Sequence, residues 1–185
     1  MLNKAVTQKS KFVSYILRHG AVESGVPIDK EGWVLVSDLI AASVKAKQAI
    51  TTEELAFIVE NNNKKRFAYS ADGLSIRASQ GHSSESVDIT FEPKEPPKSL
   101  FHGTTVAFVD VIMAEGLKKM NRHHVHLSLN IETAINVGSR HGKVAMLQVN
   151  AAQMHKDGLS FYCSENDVWL TDNVPARYIE LVELT

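Results

Sequence analysis

The stretch SVDITFEPKEPPKS (residues 86–99) constrains the fold most, because it suits neither a helix interior nor a central strand. Pro93, Pro96 and Pro97 lock φ, remove backbone donors and bias the residue before each toward extended backbone. Together with Glu85 it predicts a linker over Glu85–Ser99, with one lobe at residues 1–84 and another at 100–185. A chain of 185 residues is long enough for two small lobes, and 44% hydrophobic residues supply a core. No segment approaches the roughly 20 apolar residues of a membrane span. MLNKAVTQKSK lacks the apolar run of a secretory signal. The one cysteine, Cys163, cannot form an intramolecular disulfide, so a cytoplasmic location is expected.

The two halves differ in charge and texture. Residues 1–84 carry 11 Lys and Arg against 8 Asp and Glu, whereas the remainder carries 9 against 13. The first half is therefore the better candidate to meet a polyanion. Val13, Ile16 and Leu17, with Phe12 and Tyr15, recur at helical spacing, and Gly20 reads as a C-terminal cap. A second helix is expected to start from Ser37 or Asp38, and a third from a capping box of Thr51 and Glu54. RFAYS and LSIRA, joined through Asp72-Gly73, read as a hairpin. Three helices and a hairpin is the order of a winged helix, a fold that alone does not establish nucleic-acid binding.

The second half reads as α+β. LFHG is a strand end, VAFVDVIMAEGL a helix closed by Gly116, and HHVHLSL, KVAMLQV, SFYC and VWL are strands. Neither a Rossmann glycine pattern nor a Walker loop is present. Trp33, Trp169 and the phenylalanines and tyrosines are expected in the core.

NRHHVHLS (residues 121–128) concentrates His123, His124 and His126 beside Arg122. As a strand it puts His124 and His126 on one face and Val125 and Leu127 on the other. A metal would need a further ligand, for which only His102 or His141 offers itself, so no metal is expected. Arg18-His19 at a helix end, Arg66 after Lys64-Lys65, and Arg122 are each unremarkable alone. Together they are what gathers around a phosphate, since guanidinium forks match its oxygens.

Six blocks occur in order: RHG…DKEGWV (18–34), KKRFAYSADGLSIRASQGHS (64–83), LFHGT (100–104), GLKKMNRHHVHLS (116–128), VGSRHG (137–142) and SENDVWLT (164–171). With them the chain resembles the KptA-type RNA 2′-phosphotransferase family over nearly its whole length. The resemblance implies an N-terminal winged-helix RNA lobe and a C-terminal lobe of the ADP-ribosyltransferase fold. It implies transfer of the internal 2′-phosphate of spliced, tRNA-type RNA to NAD, through a 2′-phospho-ADP-ribosylated RNA. The products would be 2′-OH RNA, nicotinamide and ADP-ribose 1″,2″-cyclic phosphate. By motif, the catalytic residues would be Arg18, His19, Arg66 and Arg122. NAD would be held by His102, Gly103, Thr104, His126 and Ser128, with Arg140 and His141 as neighbours. Ala21 stands where family members often carry proline. The glutamate with which many ADP-ribosyltransferases orient ribose would be replaced by an apolar residue, assigned to Val168.

The residue types suit that chemistry. A 2′-phosphomonoester is already an anionic nucleophile, so attack on NAD needs no general base, and a carboxylate facing it would repel it. Expelling the RNA 2′-oxygen then builds charge that fixed cations stabilise. His19 either protonates the leaving oxygen or orients the phosphate. Three rivals remain: a non-catalytic winged-helix nucleic-acid binder, a metal-dependent RNA hydrolase, and an ADP-ribosyltransferase acting on other phosphorylated nucleic-acid ends. A monomer suffices for any of them.

Overall fold

The hydrophobic spacing of the first segment produces α1, Lys4–Tyr15, and its continuation puts Val13, Ile16 and Leu17 in the core, each at most 2% exposed. The computed structural model describes residues 4–84 and 86–183, with His141 described by its backbone alone. The chain divides into two compact units between Thr90 and Phe91. Residues of the expected linker are hydrogen-bonded on both sides of that division. Asp88 N donates to Lys30 O in the first unit, and Lys94 N donates to Phe161 O in the second. Glu85, where that linker was expected to begin, lies outside the described residues.

In the first unit α1 does not stop at Gly20 as a capped helix. It runs into a π-helical turn, Ile16–Gly20, and Ala21 beyond it keeps right-handed helical geometry. Such a turn shifts the residues it carries around the axis, and π turns recur at functional positions. Trp33, expected in the core, is only half-buried, with the Arg77 guanidinium over its ring, and Tyr15 is not core either. It is 48% exposed, and its ring lies over the site where a Gly20 side chain would be. After β1, Val34–Leu35, the helix α2, Val36–Lys45, begins earlier than expected. Its N-cap is Leu35, which supplies no side-chain bond, so Ser37 and Asp38 fall inside the first turn. Asp38 there still suits the helix dipole.

The capping box forms as expected. Thr51 Oγ1 accepts from Glu54 N, and Glu54 Oε2 accepts from Thr51 N, starting α3, Thr52–Glu60. Lys9 of α1 reaches the same carboxylate at 2.6 Å. The hairpin also forms, as β2, Phe67–Tyr69, and β3, Ser75–Ala78. β1 adds to its other edge, giving an antiparallel sheet of order β1-β3-β2. Leu39, Leu55, Ile58, Phe67 and Ile76 join the buried residues of α1 between helices and sheet. Each such side chain contributes about 1.5–3 kcal/mol by leaving water.

The second unit is strand-rich and antiparallel in its described ladders. β4, Leu100–Thr105, is followed by α4, Val109–Glu115, then β5, Leu117–Lys118, and β6, Val125–Leu127. Next come α5, Ile131–Gly138, β7, Val144–Val149, and α6, Ala151–Lys156. The chain closes with β8, Tyr162–Cys163, β9, Trp169–Thr171, β10, Asn173–Val174, and β11, Ile179–Val182. Two three-stranded sheets, β11-β7-β4 and β6-β9-β8, enclose Leu100, Leu127, Leu147, Val149, Phe161 and Trp169, and β10 pairs with β5. The mixture is α+β, as expected. HGT is not a strand exit: it lies within β4, which runs on to Thr105 opposite Val144. α5 was not anticipated, because Ile131, Thr133, Ile135 and Val137 carry strand preference. Its packing on β4 and β7 overrides that preference. Among the described residues, no helix is long and apolar enough to cross a membrane.

Candidate functional site

In the first unit the residues singled out by sequence converge on one short segment, Ser79–Ser83. Arg18 and His19 sit in the π-helical turn, Arg18 half-buried and His19 exposed. Arg66 is half-buried, immediately before β2. Ser79 N donates to Arg66 O at 2.9 Å, and Ser79 Oγ donates to Lys65 O at 2.9 Å. Four residues on, Ser83 N donates to Arg18 O at 3.1 Å, and Ser83 Oγ lies 2.8 Å from His19 Nδ1. Gly81 packs beside the Arg18 side chain; a Cβ built there would stand 3.6 Å from its Nε. Two stretches some 48 residues apart in sequence are thereby tied to one strand end.

Arg66 has its own support. Its Nη1 donates to Asn62 Oδ1 at 3.2 Å, and the same oxygen accepts from Lys64 N at 3.2 Å. Asn62 is 8% exposed, so the acceptor that aims the guanidinium is held by the core beneath it. Neither Asn62 nor Ser83 was singled out from sequence. Both lie in or beside the quoted KKRF and QGHS blocks, but polar side chains in loops give no periodic signal.

In the second unit the organising group is His102. Its Nδ1 lies 3.0 Å from the backbone oxygen of His126, and because a carbonyl only accepts, Nδ1 must carry the hydrogen. Burial pushes the imidazole below the ordinary 6.5, the His126 carbonyl opposes this, and the positive charge of Arg122 lowers it further. The ring is therefore neutral at pH 7, with Nε2 as an acceptor. Around it β4 and β6 are joined by a pair of bonds between Phe101 and Ser128, each 2.8 Å. Thr104 is buried, and His126 and Ser128 are half-buried.

Gly103 is required by close approach. A Cβ there would fall 1.8 Å from Ala134 O, so any side chain would drive α5 off the sheet. The turn Ser139–His141 follows α5 and lies against β4, with Arg140 exposed. Arg122 is exposed in the turn after β5, its N donating to Lys119 O. Val168 is half-buried before β9, its N and O both bonded to Ser164 Oγ.

The three neighbouring histidines separate in role. His124 makes edge contacts with Tyr162 at 5.5 Å and Phe91 at 6.0 Å, which fastens the start of this unit to β8. His126 contributes its carbonyl to His102, and His123 is half-buried in the turn before β6. Among the described residues no three His, Cys, Asp or Glu side chains gather so as to hold a metal.

The first unit thus ties Arg18, His19 and Arg66 to one segment, and the second carries a polar, backbone-built strand site with Arg122 and Arg140 exposed in its turns. Residues 4–173 match the model of the RNA 2′-phosphotransferase, Tpt1 / KptA family. The chain is 50% identical to a "Probable RNA 2′-phosphotransferase" of Flavobacterium johnsoniae, over 92% of this chain and 93% of that one. It is 47% identical to a protein of the same name from Pseudomonas fluorescens (97% and 99% covered) and 46% identical to one from Pectobacterium carotovorum (97% of each). The chain belongs to the RNA 2′-phosphotransferase family, and is a transferase by that membership.

Proposed function

We propose that the chain transfers the internal 2′-phosphate of spliced, tRNA-type RNA to NAD, acting in the cytoplasm as a monomer. The observation that carries this reading is the match over nearly the full length to relatives named as RNA 2′-phosphotransferases. Three helices with a three-stranded wing-like sheet support the winged-helix reading of the first unit. Two three-stranded antiparallel sheets, joined by the bridge between Phe101 and Ser128, support the ADP-ribosyltransferase-like reading of the second.

NAD enters as co-substrate, and it supplies an electrophilic ribose carbon with nicotinamide as leaving group. The donor set fits such a molecule. Neutral His102, with Nδ1–H engaged by His126 O, offers Nε2 as acceptor for a ribose hydroxyl. Gly103 lets α5 pack on the strand beside His102, and Thr104, His126 and Ser128 add polar groups along the same strands. Arg140 and His141, in the turn against β4, are assigned as neighbours of the dinucleotide. Val168 keeps a carboxylate away from the incoming phosphate.

Arg18, Arg66 and Arg122 supply the positive charge that the phosphate and the departing 2′-oxygen require. Removing one such group costs about 10²–10³ in rate when it stabilises developing charge. Because charge builds most as the RNA oxygen leaves, Arg66→Ala should slow that step more than the first. RNA bearing a 2′-phospho-ADP-ribose should then accumulate when the variant is given 2′-phosphorylated RNA and labelled NAD. Residual turnover without that species would overturn the division of labour.

The function itself is tested by incubating 2′-phosphorylated RNA with and without NAD, in EDTA. NAD-dependent, EDTA-resistant loss of the phosphate supports the proposal. Salt-sensitive binding without turnover would favour the non-catalytic binder, and loss of activity in EDTA a metal hydrolase. Equal reaction with terminal phosphates would favour broader ADP-ribosyl transfer.

A further inference from the structure

We infer that Ser83 is a positioning residue that holds His19 by Nδ1 and so directs its proton exchange through Nε2. The inference deepens the proposed phosphate transfer and rests on it for its kinetic consequence.

Two independent bonds place Ser83. Its backbone N donates to Arg18 O at 3.1 Å, fixing the main chain of residue 83 against the π-helical turn. Its Oγ then falls 2.8 Å from Nδ1 of the next residue, His19, across a sequence separation of 64. The segment is anchored at its other end by Ser79, whose N and Oγ donate to the carbonyls of Arg66 and Lys65. Between these anchors Gly81 takes φ +89° and lies beside the Arg18 side chain. Ser83 is thus delivered to His19 by the strand end that also carries the contact to Arg66. Tyr15 flanks the imidazole, with ring centroids 6.3 Å apart.

A hydroxyl is a suitable partner for a ring that must lose a proton and stay in place. As imidazolium, His19 carries hydrogen on both nitrogens, so Ser83 Oγ accepts from Nδ1–H. As the 2″-oxygen of the ADP-ribose bonds to phosphorus and its hydroxyl proton passes to solvent, the bond between phosphorus and the RNA 2′-oxygen breaks, and that oxygen keeps the electron pair and takes the Nε2 proton. The ring is left as the neutral Nδ1–H tautomer, still donating to Ser83. The contact persists through the step and the ring need not turn. A serine adds no charge beside Arg18 or the substrate phosphate, whereas a carboxylate would compete with the substrate for the arginine.

The experiment uses the full-length chain with Ser83→Ala, Ser83→Thr and His19→Ala, with wild type as reference. Ser83→Ala should lower kcat roughly tenfold, the size of one hydrogen bond lost from an oriented group, with KM for RNA little changed. Ser83→Thr, which keeps the hydroxyl, should restore most of the rate. Adding Ser83→Ala to His19→Ala should cost nothing more, since the serine acts through that ring. In ¹⁵N-resolved spectra of the imidazolium at low pH, the Nδ1–H proton should exchange slowly with water in wild type and faster in Ser83→Ala.

Unchanged kcat in Ser83→Ala, equal loss in Ser83→Thr, or additive loss with His19→Ala would each overturn the assignment. Unfolding midpoints identify a variant that has merely lost its fold; the spectrum of Ser83→Thr then decides. The ¹⁵N measurement needs no substrate, so an unaltered Nδ1–H exchange rate in Ser83→Ala sinks this inference even if the transferase reading stands. Conversely, if wild type has no NAD-dependent activity, the function fails and the spectrum still tests the contact.

Discussion

The first unit holds its candidate groups by side chains, and the second by backbone. Arg66 is aimed by Asn62 Oδ1 and His19 by Ser83 Oγ, both polar side chains on loops. His102, inside a six-residue strand, is aimed by the main-chain carbonyl of His126, and Gly103 beside it exists so that helix and sheet can touch. Under the proposed function the difference suits what each unit would bind. A phosphate that changes charge and partners during reaction needs long cations that adjust slightly, whereas a dinucleotide gains from a surface set before it arrives. Side-chain support should therefore fail by loss of rate and backbone support by loss of fold.

The largest expected effect lies in the second unit. Gly103→Ala sets a methyl carbon 1.8 Å from Ala134 O, a clash with backbone that α5 relieves only by moving. Overpacking of this kind costs about 3 kcal/mol. Urea unfolding should show that loss in the second unit while Arg66 and Asn62 keep their geometry. A variant as stable as wild type would break the comparison.

Asn62→Ala is the converse case. It removes the acceptor of Arg66 and should lower kcat about tenfold, or about 1.4 kcal/mol of barrier. Asn62→Asp keeps an oxygen for the guanidinium and should recover part of it. If both variants lose rate only in proportion to stability, Asn62 serves the core and not the arginine.

The smallest effect is a slope with pH. His102 is pushed below the ordinary 6.5, mainly by burial, so the unfolded chain takes up a proton first as pH falls. The stabilisation it provides is complete above pH 6.5 and is lost as pH drops toward the folded value. Unfolding midpoints should fall on acidification, and His102→Gln should flatten that dependence between pH 7.5 and 5.5, ~1 pH unit either side of the ordinary value. An unchanged slope would mean that His102 is not the buried neutral group described.

Parts of this were legible in residue order because they depend on local chemistry. Thr51 and Glu54 sit three apart, which suffices for a capping box, and Asp72-Gly73 suffices for a turn. Alternation put Val125 and Leu127 inside and left His126 half-buried, as β6 shows. Other parts were misread where local preference lost to packing. Gly20 reads as a cap but lies in a π-helical turn, and the helix over Ile131–Val137 went unread because its β-branched residues hide the helical signal.

By itself, then, the sequence determined the α+β class, the core positions of α1 and the hairpin, and the family, because these rest on periodicity and ordered motifs. It also named the cationic and imidazole groups. Only the tertiary structure decided which oxygen faces each of them: Ser83 for His19, Asn62 for Arg66, and the carbonyl of His126 for His102. Hydrogen bonds between residues far apart in sequence depend on distances and angles that no spacing along the chain encodes.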